Sequence, residues 1–373
     1  MKKTFLCQIN VTRACNLSCS HCYISTDKKA ASKNMSEEQF LEVIDQLCTH
    51  LNNSKQYAFA DIHVIGGEPT LLGVPFFESV LPLAKAKLET LNIEYKFSIV
   101  TNLLTSKAFK VASLFDEIAT SYELDTRFVN RSGVIQPQLE EKWIANVHGM
   151  IENGTTPYIT MAITKAAVVK GAKPILDYLY GIGFRKIHFG FFIPSGDGLT
   201  NIATVFPAFE ETSQFLIDTT EWYLERRDTE QDLWVNPVES FIDSITNNRP
   251  NDDIVCPIIP GAIDVDWNGE TVTCIEAGGE VDMDSLGNVF ETSISEIMRT
   301  PKYLAERRKA MTIKPNCRGC SEIKNCQQAC GILHEFWTGK GECPGFKLFI
   351  KHIRQLVEDG VVSTRIIDNA PPQ

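Results

Sequence analysis

Residues 12–23 read TRACNLSCSHCY, and Cys15, Cys19 and Cys22 fall within eight positions. A C-x-x-x-C-x-x-C run in a polar loop is poor core material. Structural zinc takes four closed ligands. His21 is a candidate for the fourth, but as the neighbour of Cys22 it is awkwardly placed to bind the same ion. Three thiolates suit a 4Fe–4S cluster with one iron left uncapped. An open metal position is where a substrate or cofactor can bind directly.

Working outward, TFLCQINVT (4–12) reads as a strand that delivers this loop. SEEQFLEVIDQLCTHL (36–51) reads as a helix with Ser36 as its N-cap. The next strand, YAFADIHVIGG (57–67), runs into Gly66-Gly67-Glu68-Pro69. Glycines there let backbone approach a ligand closely, and Glu68 can accept from an ammonium. Further strands are expected in EYKFSIVTN (94–102), DEIATSYEL (116–124), TPYITMAITK (156–165) and KIHFGFFI (186–193). Helix-length amphipathic segments separate them. Six strands with intervening helices imply an α/β fold with a curved parallel sheet. Chemistry in such folds collects at the carboxyl ends of the strands, where both the three-cysteine loop and GGEP fall.

The chain has 373 residues, 43% hydrophobic and 22% charged, with a net charge of −11. That supports a sizeable core and argues against a nucleic-acid partner. The apolar run at the start is short and interrupted by Gln8 and Asn10, unlike a secretory signal. No membrane-length apolar stretch is present. The expectation is a cytoplasmic protein in which clustered cysteines bind metal rather than pair.

The polar stretch ITNNRPNDD (245–253) marks a boundary. The expected organisation is a first domain over 1–235, a linker over 236–255, a small cysteine-rich domain over 256–350, and a C-terminal helix and tail over 351–373. AIDVDWNGETVTC carries Asn268-Gly269, a type I′ hairpin signal, and SISEIMRTPKYLAERRKAM (293–311) reads as one helix. Cys256 and Cys274 flank the hairpin. Cys317, Cys320, Cys326 and Cys330 follow as C-x2-C-x5-C-x3-C, and Cys343 closes the set. Seven thiols do not divide into two four-ligand zinc sites. Cys7 and Cys48 stand apart, in apolar patterns that read as core.

Cys15, Cys19 and Cys22 followed by GGEP resemble the radical S-adenosylmethionine (radical SAM) superfamily, over residues 1 to about 230. The resemblance implies a partial (β/α)6 barrel and a cluster whose fourth iron is chelated by S-adenosylmethionine. Gly66, Gly67, Glu68 and Pro69 would hold its amino group, with His21 and Tyr23 by the nucleoside and Asn102 as a ribose or methionine contact. Reductive cleavage would give a 5′-deoxyadenosyl radical that takes hydrogen from a C–H bond. The seven-cysteine tail resembles the SPASM extension of that superfamily. It implies two auxiliary 4Fe–4S clusters, three in all: Cys317, Cys320, Cys326 and Cys343 on one, and Cys256, Cys274 and Cys330 on the other.

Glu123, Asp125, Arg127 and Arg131 crowd the segment after the fourth strand. They are candidates for cofactor binding (Glu123, Arg131) or catalysis (Asp125, Arg127). FFIPSGDG (191–198) is a candidate frame for adenine or substrate. Sulfatase-maturing SPASM enzymes carry an acid directly after the hairpin cysteine. Here Ile275 takes that place and Glu276 follows, either as a base or as a solvated loop residue. The expected substrate is a peptide, with a small molecule such as a sugar as the alternative. Flavodoxin or ferredoxin is the expected reductant. With the loop starting at residue 15, peptide recognition is expected from the barrel, the tail or a separate protein.

Overall fold

The computed structural model describes residues 3–105, 107–130 and 132–365. Seven parallel strands follow in order: β1 (Lys3–Thr12), β2 (Tyr57–Gly66), β3 (Glu94–Val100), β4 (Glu117–Ser121), β5 (Tyr158–Ile163), β6 (Lys186–Phe191) and β7 (Trp234–Asn236). Then come β8 (Ala262–Val265) and β9 (Thr271–Val272), joined as an antiparallel hairpin. They form one sheet in the order β7-β6-β5-β4-β3-β2-β1-β8-β9. The first seven add one after another to the same side, as in a barrel wall.

The sheet and the later elements depart from expectation. The sheet holds β7, a three-residue strand too short to show periodicity, and β8, which pairs in parallel with β1. The cysteine-rich region is thereby stitched to the first strand. Residues 236–255, expected as a linker, contain the Val238–Thr246 helix, with Phe241 and Ile242 buried. The C-terminal helix begins earlier than expected, at Lys347, and ends at Glu358.

The first long helix, Glu37–Ser54, starts as read from sequence. Ser36 Oγ accepts from Gln39 N while Gln39 Oε1 accepts from Ser36 N, a closed capping box. The segment 293–311 is two helices, Ile294–Ile297 and Pro301–Met311. Pro301 cannot donate to a preceding turn, so it opens a new helix capped by Thr300. The Asn268-Gly269 turn is not type I′. Gly269 donates to Asp266 O and alone has a left-handed φ, of 86°. That is a three-residue loop with glycine at its last position.

Strand residues alternate. In β1, Phe5, Cys7, Ile9 and Val11 are fully buried against the helical layer, whereas Leu6 and Gln8 are half-buried on the inner face. Parallel strands covered on both faces are ordinarily apolar throughout. Here only the outer face is.

The Glu37–Ser54 helix also docks the C-terminal region. His50 Nδ1 lies 2.9 Å from Ser295 Oγ and the side chain is buried. Burial, aided by Arg299, pushes its imidazole down to about 4. A histidine held neutral by the fold contributes stability that is intact above the ordinary pKa of about 6.5 and is lost as pH falls toward 4. Urea midpoints at pH 7 and pH 4.5 should therefore differ less in His50→Gln than in the wild type, by up to about 3 kcal/mol. Identical pH dependence of the two proteins would refute this assignment.

Candidate functional site

The loop after β1 is held on every side by backbone. Gly67 N donates to Thr12 O and Glu68 N to Ala14 O, each at 2.9 Å. Ser20 N reaches Thr126 O, Gly198 N reaches Cys22 O, and Ser25 N reaches Gly279 O. The ends of β2, β4 and β6 and the turn after the hairpin thus converge on one loop. Glycine is required where they meet. A Cβ on Gly67 would strike the carbonyl oxygens of Arg13 and Ala14, and one on Gly66 that of Thr12.

Within the loop, Cys15 Sγ and Cys22 Sγ accept from the amides of Leu17 and Ile24, both at 3.4 Å. Cys19 Sγ donates to Arg127 O at 3.3 Å. Cys22 lies near enough to oppose ionisation of Cys15, and both oppose that of Cys19. Burial, then Glu68, pushes the Cys15 thiol up to about 11, and burial raises Cys19 further. As thiolates they need a bound cation. All twelve cysteines are free.

A cavity of about 290 Å³ lies over the loop at the carboxyl ends of the strands. Cys15, Cys19, Cys22, His21, Tyr23, Gly66, Gly67 and Asn102 share its wall, so most of the expected cofactor-binding residues meet there. His21 Nε2 is 3.1 Å from Glu123 Oε2, which Arg127 Nε also meets at 2.5 Å. Burial opposes the charge of Glu123, yet Arg127 and then His21 hold its carboxyl down at about 2. His21 Nδ1 is buried without a partner, a ring nitrogen left for a ligand. Three thiols, a glycine cradle and an unpaired imidazole nitrogen fit a cluster with a bound nucleotide.

Three expectations need correction. Glu68 and Pro69 do not line the cavity. The Glu68 carboxylate is fully buried and accepts from Thr70 N, Thr70 Oγ1, Thr101 Oγ1 and Asn102 N at 2.5 to 3.0 Å. It ties the β2 turn to the end of β3, with three of these bonds on Oε1 and one on Oε2. Asp125 is exposed, with φ 58°, on the outer side of its turn, so it is not placed for catalysis. Arg131 lies outside the described residues.

Glu276, by contrast, is no solvated loop residue. With Ile275 it forms the cavity wall contributed by the cysteine-rich region. Ser195, from the FFIPSGDG segment, donates to its carboxylate. Burial, with a smaller contribution from Asp264, pushes that carboxyl up to about 7 against the Ser195 bond. Sequence reasoning missed Ser195 as its partner, because nothing in the chain links positions 195 and 276 before folding.

A buried network missed in the sequence braces the loop from beneath. Arg13, fully buried, places Nε 2.9 Å from Asp266 Oδ1 and Nη2 3.3 Å from Asp264 Oδ1. Lys28 Nζ meets Asp266 Oδ2 at 2.7 Å, and Asn10 Nδ2 donates to both Asp264 oxygens at 3.0 Å. Tyr23 Oη stands 3.5 Å from Arg13 Nη1 and from Gly66 O. Burial of this kind appeals to charge pairing over long sequence distance, which no local pattern announces.

Seven further cysteines lie in the C-terminal region. Cys317, Cys320, Cys326 and Cys343 line one open cavity of about 710 Å³. Cys256 and Cys330 lie near enough to Cys274 to oppose its ionisation, and Cys256 opposes that of Cys330.

The sequence matches the family model of the radical SAM superfamily over residues 9–163. It matches that of the SPASM iron–sulfur cluster-binding domain over 256–321, which ends before Cys326, Cys330 and Cys343. A cysteine-type anaerobic sulfatase-maturating enzyme of Clostridium novyi (strain NT) is 24% identical, with 92% of this chain and 93% of that one aligned. The sporulation killing factor maturation protein SkfB of Bacillus subtilis (strain 168) is 33% identical over 87 residues, which is 23% of this chain and 19% of that one. Among solved structures, native anSMEcpe with bound AdoMet superposes with a TM-score of 0.73 at 16% identity, covering 96% of this chain and 99% of that one. Streptococcus suis SuiB bound to its precursor peptide SuiA gives 0.61 at 15% identity, covering 92% and 75%. At those identities the likeness speaks to the fold. With the loop cysteines, the glycine cradle and the seven-cysteine tail all in place, the chain belongs to the radical SAM superfamily and carries a SPASM iron–sulfur domain.

Proposed function

We propose that the protein oxidises or cross-links a residue in a peptide substrate, with Glu276 as the proton acceptor. One observation carries the reading: the cysteine-rich region reaches into the cavity of the three-cysteine loop and places a carboxylate there. The full-length relationship to a sulfatase-maturating enzyme and the SuiB–SuiA complex support a peptide as substrate. When bound, the cluster and S-adenosylmethionine would supply radical chemistry able to take one hydrogen atom from a substrate C–H bond. A flavodoxin- or ferredoxin-class protein would provide the reducing electron.

The chain's own residues do the rest. Cys15, Cys19 and Cys22 hold the cluster, and the backbone of Gly66 and Gly67 leaves room for the nucleotide. His21, fixed by Glu123, offers Nδ1 as a hydrogen-bonding atom. Glu276, oriented by Ser195, receives the proton that leaves as the substrate carbon is oxidised, and an auxiliary cluster, which the cysteines of the C-terminal region would hold, would supply the acceptor for the remaining electron.

The test is mass spectrometry on anaerobically reconstituted enzyme with dithionite, S-adenosylmethionine and synthetic peptides carrying an internal Cys or Ser. Loss of two hydrogens from the peptide is expected. Glu276→Gln should slow that loss by about 10²–10⁴-fold, the usual contribution of a positioned base. Peptide oxidation at the wild-type rate in Glu276→Gln would remove the assignment of the base. Turnover of a sugar with no change in any peptide would favour the small-molecule reading.

A further inference from the structure

The inner face of the sheet is polar, and the reaction above does not use it. By strand register Gln8 lies beside His63, His63 beside Ser98, and Ser98 beside Glu117. A second row runs Ser121, Thr160, His188 and Asn236. Barrels of parallel strands ordinarily fill their interior with branched apolar side chains. Here Asp61, His63, Lys96 and Glu117 keep 21 to 25% of their side-chain surface accessible. His188 is exposed although its strand has neighbours on both sides. Solvent therefore reaches the lumen. Gln8, His63, Ser121 and Thr160 also line the 290 Å³ cavity, so lumen and cavity are continuous.

The charged groups in this lumen already pair with one another. Lys96 Nζ is 2.6 Å from Glu117 Oε2 and 3.8 Å from Asp61 Oδ1. Asp61 Oδ1 is 3.1 Å from His63 Nε2, which leaves Nδ1 as the free ring nitrogen. Among the described residues the cavity-lining lumen groups left without partners are the Gln8 carboxamide and His63 Nδ1, and Asn236 Oδ1 is unpartnered farther along the second row. The Ser121 and Thr160 hydroxyls share one 3.1 Å bond and retain further capacity. A charged ligand group would arrive opposite no unpaired counter-charge, and burying it so is unfavourable. An apolar one would leave Gln8 and His63 unsatisfied.

We infer that this floor is a subsite for a neutral hydrogen-bonding group of the substrate, such as the side chain of Asn, Gln, Ser or Thr, held by Gln8 and His63. The inference rests on the peptide reading above and names the side-chain class that the peptide presents below the reacting carbon. It gives the polar lumen a purpose that fold stability does not.

The experiment is calorimetric titration of the anaerobically reconstituted full chain, loaded with S-adenosylmethionine. The probes are N-acetyl-Ala-X-Ala-amide peptides with X as Asn, Ser, Asp, Lys or Leu. Asn and Ser peptides should bind about tenfold or more tightly than the others, since a site built to hydrogen-bond rejects analogues lacking the group. Gln8→Leu should erase that preference. Thr160→Val, which removes a hydroxyl at nearly constant size, should weaken it, and iron content per chain reports whether each variant folds. Equal binding across X, or a preference unchanged in both variants, would overturn the subsite. No binding of any peptide, together with Gln8-dependent binding of the neutral polyol glucitol, would support the subsite and overturn the peptide reading instead.

Discussion

Replacing Arg13 by methionine should destabilise the fold by about 3–5 kcal/mol, the range expected when one partner of a buried ion pair is removed. Arg13 has no exposed surface, and its guanidinium is shared between Asp264 and Asp266, each only 1% exposed. Methionine fills most of the volume, so a cavity contributes little. What remains is uncompensated charge. Lys28 still meets Asp266, but Asp264 retains only the amide of Asn10. Burial already pushes the Asp264 carboxyl up to about 6 with Arg13 opposing it, so removing the guanidinium leaves the charged form worse placed still. A second substitution, Asp264→Asn, removes that charge and should recover half or more of the loss, which a merely additive pair would not. Urea midpoints of the four proteins of this cycle, measured without iron, test the claim. A shift under about 1 kcal/mol for Arg13→Met would place the network at the level of surface pairs. The same substitution should also lower iron loading, because Arg13 joins the cluster loop to β8 and the turn that follows it.

How far the sequence disclosed this arrangement depends on how local each feature is. The spacing of Cys15, Cys19 and Cys22, the glycine pair after β2 and the seven-cysteine tail are set within short segments, and all could be read directly. Strand and helix order through residue 227 followed from hydrophobic alternation for the same reason. The failures involve distance along the chain. β8 pairs with β1 across some 250 positions, and an alternating hairpin cannot announce which sheet it will join. Glu68 looks like a ligand for an ammonium because its motif ends a strand. Only the fold shows it buried behind the cavity wall and tied to Thr70, Thr101 and Asn102. Asp125 and Arg127 are two residues apart, yet a left-handed φ at Asp125 turns one outward and leaves the other at the cavity. The polar lumen was written in alternate residues of β1 to β3, where Gln8, Asp61, His63, Lys96 and Ser98 fall on one face. That signal was available, and a parallel-sheet reading passes over it.

Gly279→Ala should reduce product formation about 100-fold, the order of loss that follows from displacing reacting groups by about 1 Å. Gly279 belongs to no recognisable motif. Its φ of −77° suits any residue, so backbone freedom is not the reason for glycine there. The reason is approach: an added Cβ would lie far inside contact distance of Tyr23 O, and backbone cannot yield as a flexible side chain does. Relief requires the turn after the hairpin to withdraw from the cluster loop, breaking the 2.9 Å bond from Ser25 N to Gly279 O. Cys22 on one side and Glu276 on the other are each three residues from that contact, so both would be carried out of register. Gly67, on the opposite flank, faces the same steric limit from Arg13 and Ala14, and its replacement should act alike. Gly149→Ala is the control. It sits inside the Pro137–Glu152 helix with nothing within 4 Å of an added Cβ, and should stabilise by about 1 kcal/mol with no effect on rate. Rates of peptide oxidation, with electron paramagnetic resonance of the reduced cluster before and after S-adenosylmethionine is added, separate a displaced site from an unfolded chain. Activity of Gly279→Ala within about threefold of wild type, against that 100-fold expectation, would mean that the cysteine-rich region is not held against the cluster loop in the working enzyme.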